Sequence, residues 1–352
     1  MNRITVNTAC PYDVIIGSGL LSTIRQYLPS ANAGTTIAVI SDTNLWPLYG
    51  ELLEANLTDA GFSVTQYIFP AGESSKTLDT YFRILDFLSE NHITRSDYLL
   101  AFGGGVVGDI TGFAAATYLR GIPYIQVPTS LLAMVDSSVG GKTAVDLPTG
   151  KNLVGAFYQP HCVICDTDLL ATLPREFFID GCAEVIKYGI LFDEILFSHL
   201  ESHLQDFDRQ YVISRCIELK RDVVVEDEFD VAIRQKLNLG HTIGHSIEKQ
   251  SSFTISHGCA VAIGTALIAK ASTVTGLCST KTLERICSLL RAFSLPTKTM
   301  FSAEDLTSHA LSDKKRFGKT INLIMPVSIG HCVIQKTPID TFKSIVEAGL
   351  SK

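Results

Sequence analysis

Short apolar runs alternate with a helical pattern in the first half of the chain, and this alternation constrains the fold more than any other feature. The segments TTIAVISD, DYLLAFGGG, IPYIQVPTS and VICDTDLL are apolar and short enough to be buried strands. DITGFAAATYL, which lies between two of them, has the small apolar residues of a packed helix. Strands that alternate with helices are typical of a parallel sheet, so the sequence predicts an α/β domain.

The sequence changes character near residue 174, and helical periods dominate after it. The helical segments are CAEVIKYGILFDEILFSHLESHL, VISRCIELKRDVVVEDE, LNLGHTIGHSIEKQ and GCAVAIGTALIAKAS. A chain of 352 residues is long for one core and fits two domains. We therefore predict an α/β domain over 1–174 and a mostly helical domain over 175–352.

Charge and composition exclude several classes of protein. The net charge is −7, whereas non-specific nucleic-acid binding needs a basic surface. The start, MNRITVNTAC, has no apolar signal core, and no stretch is predicted to span a bilayer. The nine cysteines are scattered, and Cys162 and Cys165 fall in a predicted strand, which favours buried thiols over a metal or redox pair. We expect a cytoplasmic protein with no membrane or nucleic-acid partner.

A glycine motif follows one of the predicted strands. GGGVVGD fits G-x-G-x-x-G at Gly103, Gly105 and Gly108, directly before a predicted helix. Glycines there let the backbone approach a pyrophosphate, and the helix N-terminus offers free N–H groups. No acidic residue follows about 20 positions later to bind a ribose, and Asp42, at the end of an earlier strand, is a candidate for that role. A dinucleotide site and a tight structural turn both fit this pattern.

A second glycine stretch, VDSSVGGKTAVD, carries a lysine. It is not a P-loop, because Asp136 stands where that motif needs its first glycine. Lys142 is better explained as a lysine presented to an anion on a glycine loop, and Lys151 and Asn152 follow shortly in GKNLVGAF. This combination favours a phosphate or carboxylate site, with solvated surface lysines as the alternative.

Carboxylate and imidazole groups in the second half suggest a divalent metal. Glu184 and Lys187 share a helical face in GCAEVIKYG, and His241 and His245 are four residues apart in NLGHTIGHSIE, with His257 following. Imidazole plus carboxylate, with one position left open, is typical of catalytic zinc. Glu184 with two of these three histidines would form such a site, and spacing alone favours the pair His241 and His245.

The same spacing also occurs elsewhere, so it is weak evidence by itself. His199 and His203 are four residues apart in a segment that resembles an exposed amphipathic helix. Further polar groups could converge on an anionic substrate or could simply be solvated; these are Lys220, Arg234, Asn238, Lys314, Lys315 and Arg316.

Taken in order, the motifs resemble those of the 3-dehydroquinate synthase family of sugar-phosphate cyclases. They are GGGVVGDITGFAAATYLRG, QVPTSLLAMVDSSVGGKTAVD, GKNLVGAFYQP, TLP, AEVIKYG, LNLGHTIGH and HG-x-AVAIG, and they extend from about Asp42 to Lys315. The resemblance implies a Rossmann-like α/β domain followed by a mostly helical metal-binding domain, bound NAD, a zinc or cobalt ion, and a homodimer. It also implies conversion of 3-deoxy-D-arabino-heptulosonate 7-phosphate into 3-dehydroquinate and phosphate, in the shikimate pathway. The implied route is transient oxidation by NAD, β-elimination of phosphate, re-reduction and aldol closure.

The resemblance also implies roles for individual residues. It makes Glu184, His241 and His257 the metal ligands, and His245 an active-site neighbour rather than a ligand. NAD contacts fall on Asp42, Glu73, Lys76, Gly104, Gly105, Asp109, Thr129, Ser130, Lys142, Lys151 and Thr172. Substrate contacts fall on Arg120, Asp136, Lys142, Lys151, Asn152, Lys187, Lys220, Arg234, Asn238, His245 and the pair Lys314 and Lys315. Within these sets, His245, Lys187, Lys142 and Asn238 are assigned catalytic roles.

Two details of the pattern concern single positions. Arg120 matches an arginine that reaches the substrate of the neighbouring subunit. Cys259 stands where the family pattern leads us to expect Glu after HG, and Ser130 stands where Thr is common.

Rival activities are another sugar-phosphate cyclase, whose substrate lacks a carboxylate, and a metal-dependent polyol dehydrogenase with net turnover of NAD. Arg234 and Lys220, which suit a substrate carboxylate, argue against the first rival. The phosphate-suited groups argue against the second. A non-catalytic sugar-phosphate or nucleotide-binding protein is a third reading, and the metal ligand set disfavours it.

Overall fold

The chain divides into two compact units in a computed structural model that describes residues 1–30, 32, 34–312 and 319–351. The first unit comprises Met1–Pro174 and Arg209–Phe229, and the second comprises Arg175–Asp208 and Asp230–Lys352. The predicted boundary at 174 falls between the units. Arg209–Phe229, however, lies in the first unit, although the sequence analysis placed all of 175–352 in one domain.

The helix within Arg209–Phe229 explains the difference. The helix buries Val212, Ile213 and Cys216, and it packs against the first strand and a short turn near Asp136. Asn2 also donates a side-chain hydrogen bond to the Ser214 hydroxyl over 2.9 Å. These contacts join residues that are more than 70 positions apart, and a local helical period carries no information about them.

The first unit is built on a seven-stranded sheet. Its strands are β1 Asn2–Val6, β2 Tyr12–Gly17, β3 Thr36–Asp42, β4 Ser63–Phe69, β5 Tyr98–Gly103, β6 Tyr124–Pro128 and β9 Cys162–Asp166. Strands β7 Lys142–Leu147 and β8 Gly150–Phe157 form a separate antiparallel ribbon between β6 and β9 in the chain. The order across the sheet is β1-β2-β9-β6-β5-β3-β4, and every neighbouring pair is parallel except β1 and β2. The helices are α1 Trp46–Asp59, α2 Leu78–Glu90, α3 Gly105–Thr117 and α6 Arg209–Glu226, and α6 is the helix within Arg209–Phe229. The predicted α/β fold is confirmed.

The chain reverses direction across this sheet at β3. The connection from β3 to β4 moves outward to one side, and the next connection returns across β3 to place β5 on its other side. Ligands of open α/β sheets bind outside the carboxyl ends of the strands at such a switch point. Asp42 ends β3 and Gly103 ends β5, so these two residues flank the switch.

The central strands are buried, as expected for a parallel sheet with both faces covered. Ile37–Ile40 in β3 are fully buried, and Leu99–Phe102 in β5 are at most 2 % exposed. Cys162 and Cys165 lie in β9 as buried free thiols, and burial raises the pKa of Cys162 to about 12. The prediction of buried strand cysteines is confirmed.

The second unit is mostly helical. It contains α4 Arg175–Phe192, α5 Glu194–His203, α7 His241–Gln250, α8 His257–Val274, α9 Thr280–Ala292, α10 Ala303–Ser312 and α11 Ile339–Leu350, with an antiparallel ribbon of β10 Thr320–Ser328 and β11 His331–Pro338. Helix α8 is its central element, and it packs against α4, α7, α9 and α11.

Helix α8 corrects one expectation from the sequence. With 18 residues and a mean hydropathy of 1.3, it is long and apolar enough to cross a membrane, although no such stretch was expected. Burial within the unit covers 72 % of this segment. Its apolar composition is therefore explained by its place in the protein core.

Candidate functional site

Polar and glycine residues collect at the carboxyl ends of four neighbouring strands in the first unit. Asp42 ends β3, Lys76 follows β4, Gly104 follows β5, and Thr129 follows β6. The edges of β5 and β6 are joined there by a hydrogen bond of 3.0 Å from the Thr129 backbone N–H to the Gly103 carbonyl. The fold thus brings most residues of the predicted dinucleotide site to one edge of the sheet.

The glycine motif forms the start of α3. Gly104 is the residue before the helix, and no side chain caps the helix there. A β-carbon on Gly105 would lie 3.2 Å from the Ser137 hydroxyl, and one on Gly104 would lie 3.5 Å from the Ser130 hydroxyl. Glycine keeps this space open in front of the N-terminal N–H groups of α3, which is the arrangement that a pyrophosphate requires.

Asp42 holds the loop after β3. Its carboxylate accepts hydrogen bonds from the backbone N–H groups of Asn44 at 2.9 Å and Leu45 at 3.0 Å. Thr172 follows the turn Thr167–Ala171 after β9, and its hydroxyl lies 2.9 Å from the Tyr49 hydroxyl on α1. Asp42 is therefore fixed at the switch point, where a ribose would be expected.

A buried lysine links the glycine helix to the β7–β8 ribbon. Lys76 is 5 % exposed, and its ammonium group donates at 2.6 Å to both Asp109 on α3 and the side-chain oxygen of Asn152 on β8. Burial alone would lower the pKa of Lys76, but the charges of Asp109 and Glu73 outweigh it and raise the pKa. Burial raises the pKa of Asp109, against the influence of Lys76. The cluster thus joins three predicted ligand-contacting residues in one ion-paired group.

The predicted anion-binding residues lie on or beside the β7–β8 ribbon. Gly140 and Gly141 both have positive φ angles, 96° and 70°, and exposed Lys142 begins β7 directly after them. The Gly140 N–H donates to the Tyr12 hydroxyl over 3.0 Å, which fixes the glycine loop. Lys151, on β8, lies 3.3 Å from Glu73. Lys142 thus directly follows a glycine turn that is held by a hydrogen bond to Tyr12.

Lys220 shows why α6 belongs to the first unit. The lysine is 6 % exposed, and its ammonium group is ion-paired with the Asp136 carboxylate and also bonded to the Asp136 carbonyl. Asp136 and Lys220 were both predicted to contact the substrate. The structure brings these two together although 84 positions separate them.

Glu184, His241 and His257 meet in the second unit. Glu184 lies on α4 and is fully buried, while His241 and His257 are the first residues of α7 and α8. One carboxylate oxygen of Glu184 lies 3.5 Å from Nε2 of His241 and 3.6 Å from Nε2 of His257. Ligand atoms about 2.0–2.2 Å from a tetrahedral zinc are separated from one another by about 3.3–3.6 Å. The donor set and its spacing therefore fit a divalent metal with an open position.

The backbone and a second carboxylate orient the two imidazoles. Nδ1 of His241 lies 3.1 Å from the Leu239 carbonyl, and Nδ1 of His257 lies 3.4 Å from the buried carboxylate of Glu248. A partner on one ring nitrogen directs the other nitrogen towards a metal. Both Nε2 atoms consequently face Glu184.

The charges of the site favour metal binding by His241. Burial, and then the positive charge of Lys187, lower the pKa of His241 to about 3, so its imidazole is neutral and has a free lone pair. Burial would also lower the pKa of His257, but its bonds to Glu184 and Glu248 raise it to about 10. Lys187 is 2 % exposed and is ion-paired with Glu184. A metal ion must therefore displace a proton from His257 and compete with Lys187 for Glu184.

His245 takes a different place from the one that spacing favoured. Its side chain is exposed, and its ring centroid lies 5.5 Å from that of His241 and 6.1 Å from that of His257. It can form a group of potential ligands with Glu248 and His257. Among the described residues, no group of three potential ligands contains both His241 and His245.

Three of the remaining predicted residues lie in short turns. Arg234, 2 % exposed, and Asn238, exposed, belong to the turn Ile233–Asn238 that precedes α7. Arg120 is exposed and has a positive φ of 66°. Lys314 and Lys315 lie outside the described residues.

Sequence reasoning missed Glu248 and Asp180, which both contact the segment around His257. Glu248 lies seven residues after His241, so it shares a face with His241 after two helical turns. Asp180 lies four residues before Glu184 on α4 and bonds to the start of α8. Helical spacing could have drawn attention to both residues, but it does not predict which residue on another helix each of them contacts.

Two family models match the chain in succession. The model described as 3-dehydroquinate synthase N-terminal matches residues 66–180, and the one described as 3-dehydroquinate synthase C-terminal matches residues 181–316. The 3-dehydroquinate synthase of Vibrio atlanticus is 43 % identical over 358 residues, with 99 % of each chain covered. That of Clostridium acetobutylicum is 45 % identical over 335 residues, with 92 % of this chain and 93 % of the relative covered.

Solved structures of related cyclases share the fold. A 2-epi-5-epi-valiolone synthase from Streptomyces hygroscopicus, with NAD+ and Zn2+ bound, has a TM-score of 0.88 at 27 % identity and covers 99 % of this chain and 98 % of its own. A 2-deoxy-scyllo-inosose synthase complexed with carbaglucose-6-phosphate, NAD+ and Co2+ has a TM-score of 0.88 at 24 % identity, over 98 % of this chain and 99 % of its own. At that identity the second likeness shows the fold alone. Together with the two consecutive family matches, these findings establish that the chain belongs to the 3-dehydroquinate synthase family.

Proposed function

We propose that the protein is a 3-dehydroquinate synthase, which converts 3-deoxy-D-arabino-heptulosonate 7-phosphate into 3-dehydroquinate and phosphate. The observation that carries this proposal is the Glu184, His241 and His257 cluster in a chain of this family. The reaction is the second step of the shikimate pathway, which leads to aromatic amino acids. We place the protein in the cytoplasm as a homodimer.

Two cofactors are part of the proposal. Zn2+ or Co2+ would be held by Glu184, His241 and His257, and NAD by the strand ends around Asp42 and Gly104. The metal supplies Lewis acidity that lowers the pKa of a bound hydroxyl, and NAD accepts a hydride and later returns it. A related structure that holds NAD+ and Zn2+ supports both assignments.

Residues of the first unit suit the phosphate of the substrate. Lys142 is an exposed cation on a fixed glycine turn, and Lys151 and Asn152 lie on the paired strand. Charge-assisted hydrogen bonds from such groups hold a phosphate and stabilise it as it leaves. We assign them the binding and release of the phosphate.

Residues of the second unit suit proton transfer and carboxylate binding. Exposed His245 lies beside the metal ligands, and an imidazole titrates near neutral pH, so we assign it a proton-transfer role. The guanidinium group of Arg234 can bind a carboxylate through two parallel hydrogen bonds. We assign carboxylate recognition to Arg234.

The fold by itself does not choose among related activities. The structures with TM-scores of 0.88 belong to cyclases with other names, so the substrate must be inferred from individual residues. A cyclase whose substrate lacks a carboxylate has no use for Arg234 as a carboxylate ligand. A polyol dehydrogenase has no use for the phosphate-suited group on the β7–β8 ribbon.

The test is a comparison of two substrates, the natural heptulosonate 7-phosphate and a heptulose 7-phosphate that lacks the carboxylate. We expect the wild-type protein to favour the first by about 10- to 150-fold in kcat/KM, since a charged hydrogen-bonded pair contributes about 1.5–3 kcal/mol. Arg234→Met should lose most of this preference. Arg285→Met is the matched control, because Arg285 pairs with Glu194 and Glu201 on α5. Turnover of only the carboxylate-free substrate would contradict the proposal.

A further inference from the structure

The first turn of α8 has an unusual source of capping. This helix begins with His257, and the residue before it, Ser256, makes no capping hydrogen bond with its own side chain. The N–H groups of the second and third helical residues normally bond to such a side chain. Here those residues are Gly258 and Cys259, and their N–H groups need an acceptor from elsewhere.

A carboxylate on another helix supplies that acceptor. One oxygen of Asp180 on α4 accepts the N–H of Gly258 at 2.7 Å and the N–H of Cys259 at 3.3 Å. The Ser256 hydroxyl donates to the same oxygen over 2.5 Å. Asp180 therefore caps α8 from outside, and the capping residue Ser256 is itself bonded to it.

The two helices are also in direct contact at this point. A β-carbon on Gly258 would lie 2.2 Å from the backbone carbonyl of Asp180, so any side chain there would force α4 and α8 apart. The glycine and the carboxylate thus fix both the separation and the register of the two helices.

The third helical position also lacks the side chain of a capping box. In a capping box that position carries Glu or Gln, which bonds back to the backbone of the capping residue. The chain has Cys259 there, and a thiol is a poor substitute for a carboxylate. Asp180 is the carboxylate bonded at this helix start, and it accepts from the N–H groups of Gly258 and Cys259.

We propose that Asp180 is a positioning residue of the metal centre, which locks His257 at the start of α8 against the helix that carries Glu184. Asp180 and Glu184 are four residues apart on α4, so they share one face of the same rigid helix. One helix therefore carries a metal ligand and the group that fixes a second ligand. The inference rests on the proposed metal site of Glu184, His241 and His257.

Loss of Asp180 leaves two N–H groups of α8 without their acceptor, and the first turn of the helix can then fray. His257 lies in that turn, so a metal ion would have to reorder it on binding. Loss of a group that orients a metal ligand typically weakens metal affinity about 10- to 100-fold.

The experiment measures the Zn2+ dissociation constant of metal-depleted full-length protein by competition with a chromophoric chelator. We expect Asp180→Ala to weaken Zn2+ binding about 10- to 100-fold. Asp180→Asn should stay within about threefold of wild type, because an amide oxygen also caps helices well. Asp193→Ala is the matched control, since Asp193 caps α5 through the N–H groups of Ile195 and Leu196. It should lower the melting temperature and leave Zn2+ affinity unchanged.

Two milder variants distinguish an effect of charge from an effect of positioning, because the two effects predict opposite orders of Zn2+ affinity. Asp180→Glu keeps the charge but moves the carboxylate, whereas Asp180→Asn keeps the acceptor but removes the charge. Positioning predicts tighter Zn2+ binding by Asp180→Asn, and this comparison remains decisive if Asp180→Ala does not fold. Tighter binding by Asp180→Glu, or wild-type affinity in folded Asp180→Ala, would overturn the inference.

The same assay separates this inference from the proposed function. If the wild-type protein binds Zn2+ no better than Glu184→Ala, the proposed metal site itself fails. If wild type binds Zn2+ and Glu184→Ala does not, the site stands, and the Asp180 variants then decide the inference alone.

Discussion

The two candidate sites are built from different parts of the chain. At the sheet edge of the first unit, glycines and the N–H groups of α3 form the surface that a dinucleotide would approach. In the second unit, three side chains from the middle of α4 and the first residues of α7 and α8 converge within 4.8 Å. The first site depends on backbone that the strands already hold in place, while the second depends on how three helices pack.

This difference predicts different responses to substitution. Ligand binding to a backbone surface weakens only partly when one side chain intrudes, because the other N–H groups remain available. A three-ligand metal site loses most of its affinity when one ligand is removed, because the remaining ligands no longer complete the coordination sphere.

The largest expected effect is that of removing a metal ligand. His241→Ala should abolish tight Zn2+ binding and reduce phosphate release by about 1000-fold or more, since a metal supplies several kcal/mol of transition-state stabilisation. NAD binding, which we assign to the first unit, should remain. His203→Ala is the control, because His203 is an exposed histidine on α5. Near-normal activity of metal-depleted His241→Ala would contradict the assignment of His241 as a metal ligand that the reaction requires.

A second variant sharpens the assignment of the ligands. His245→Ala should keep Zn2+ affinity within a few fold of wild type while turnover falls about 100-fold, as expected for loss of a general acid–base group. Parallel titrations of Zn2+ and of activity separate the two quantities. Loss of Zn2+ binding would make His245 a ligand and restore the interpretation that spacing alone favoured.

A smaller effect is expected at the glycine loop. Gly104→Val should weaken NAD binding about 10-fold, because its methyl groups would occupy the space before α3, beside the Ser130 hydroxyl. Calorimetric titration with NAD measures the change, and Zn2+ affinity should not move. In Gly19→Ala, the control, the new β-carbon meets nothing within 4 Å, although the positive φ adds some strain. Equal NAD affinity in Gly104→Val and wild type would remove the glycine loop from the site.

The smallest effect should come from the buried cysteines of β9. Cys165→Ala should lower the free energy of unfolding by about 1 kcal/mol and the melting temperature by about 2–4 °C. Zn2+ stoichiometry and NAD affinity should be those of wild type. A reduced Zn2+ stoichiometry would instead show that these thiols hold metal.

The same contrast explains how much the sequence could predict. Local patterns predict four strands and the start of α3 after Gly103, and the structure has them where they were expected. The four strands are β3, β5, β6 and β9. The order of the strands brings Asp42 close to the glycine loop, and the general rules for parallel sheets are enough to predict this.

The metal centre could not be derived in this way. His241 and His257 each begin a helix, so their directions depend on where that helix starts and on what caps it, rather than on a helical period. The spacing of four therefore favoured His245, and the family resemblance was needed to select His257. Asp180 and Glu248 share helical faces with Glu184 and His241, but their contacts with the start of α8 are tertiary, and helical spacing does not indicate those contacts. Packing of α6 against the first unit escaped prediction for the same reason.

The most direct test of the account is phosphate release from 3-deoxy-D-arabino-heptulosonate 7-phosphate, with added NAD and Zn2+, while the absorbance of NADH is followed. We predict one phosphate per 3-dehydroquinate formed, no accumulation of NADH, and loss of activity when a chelator removes the metal. No phosphate release by the metal-replete protein, or steady accumulation of NADH with a polyol, would contradict it.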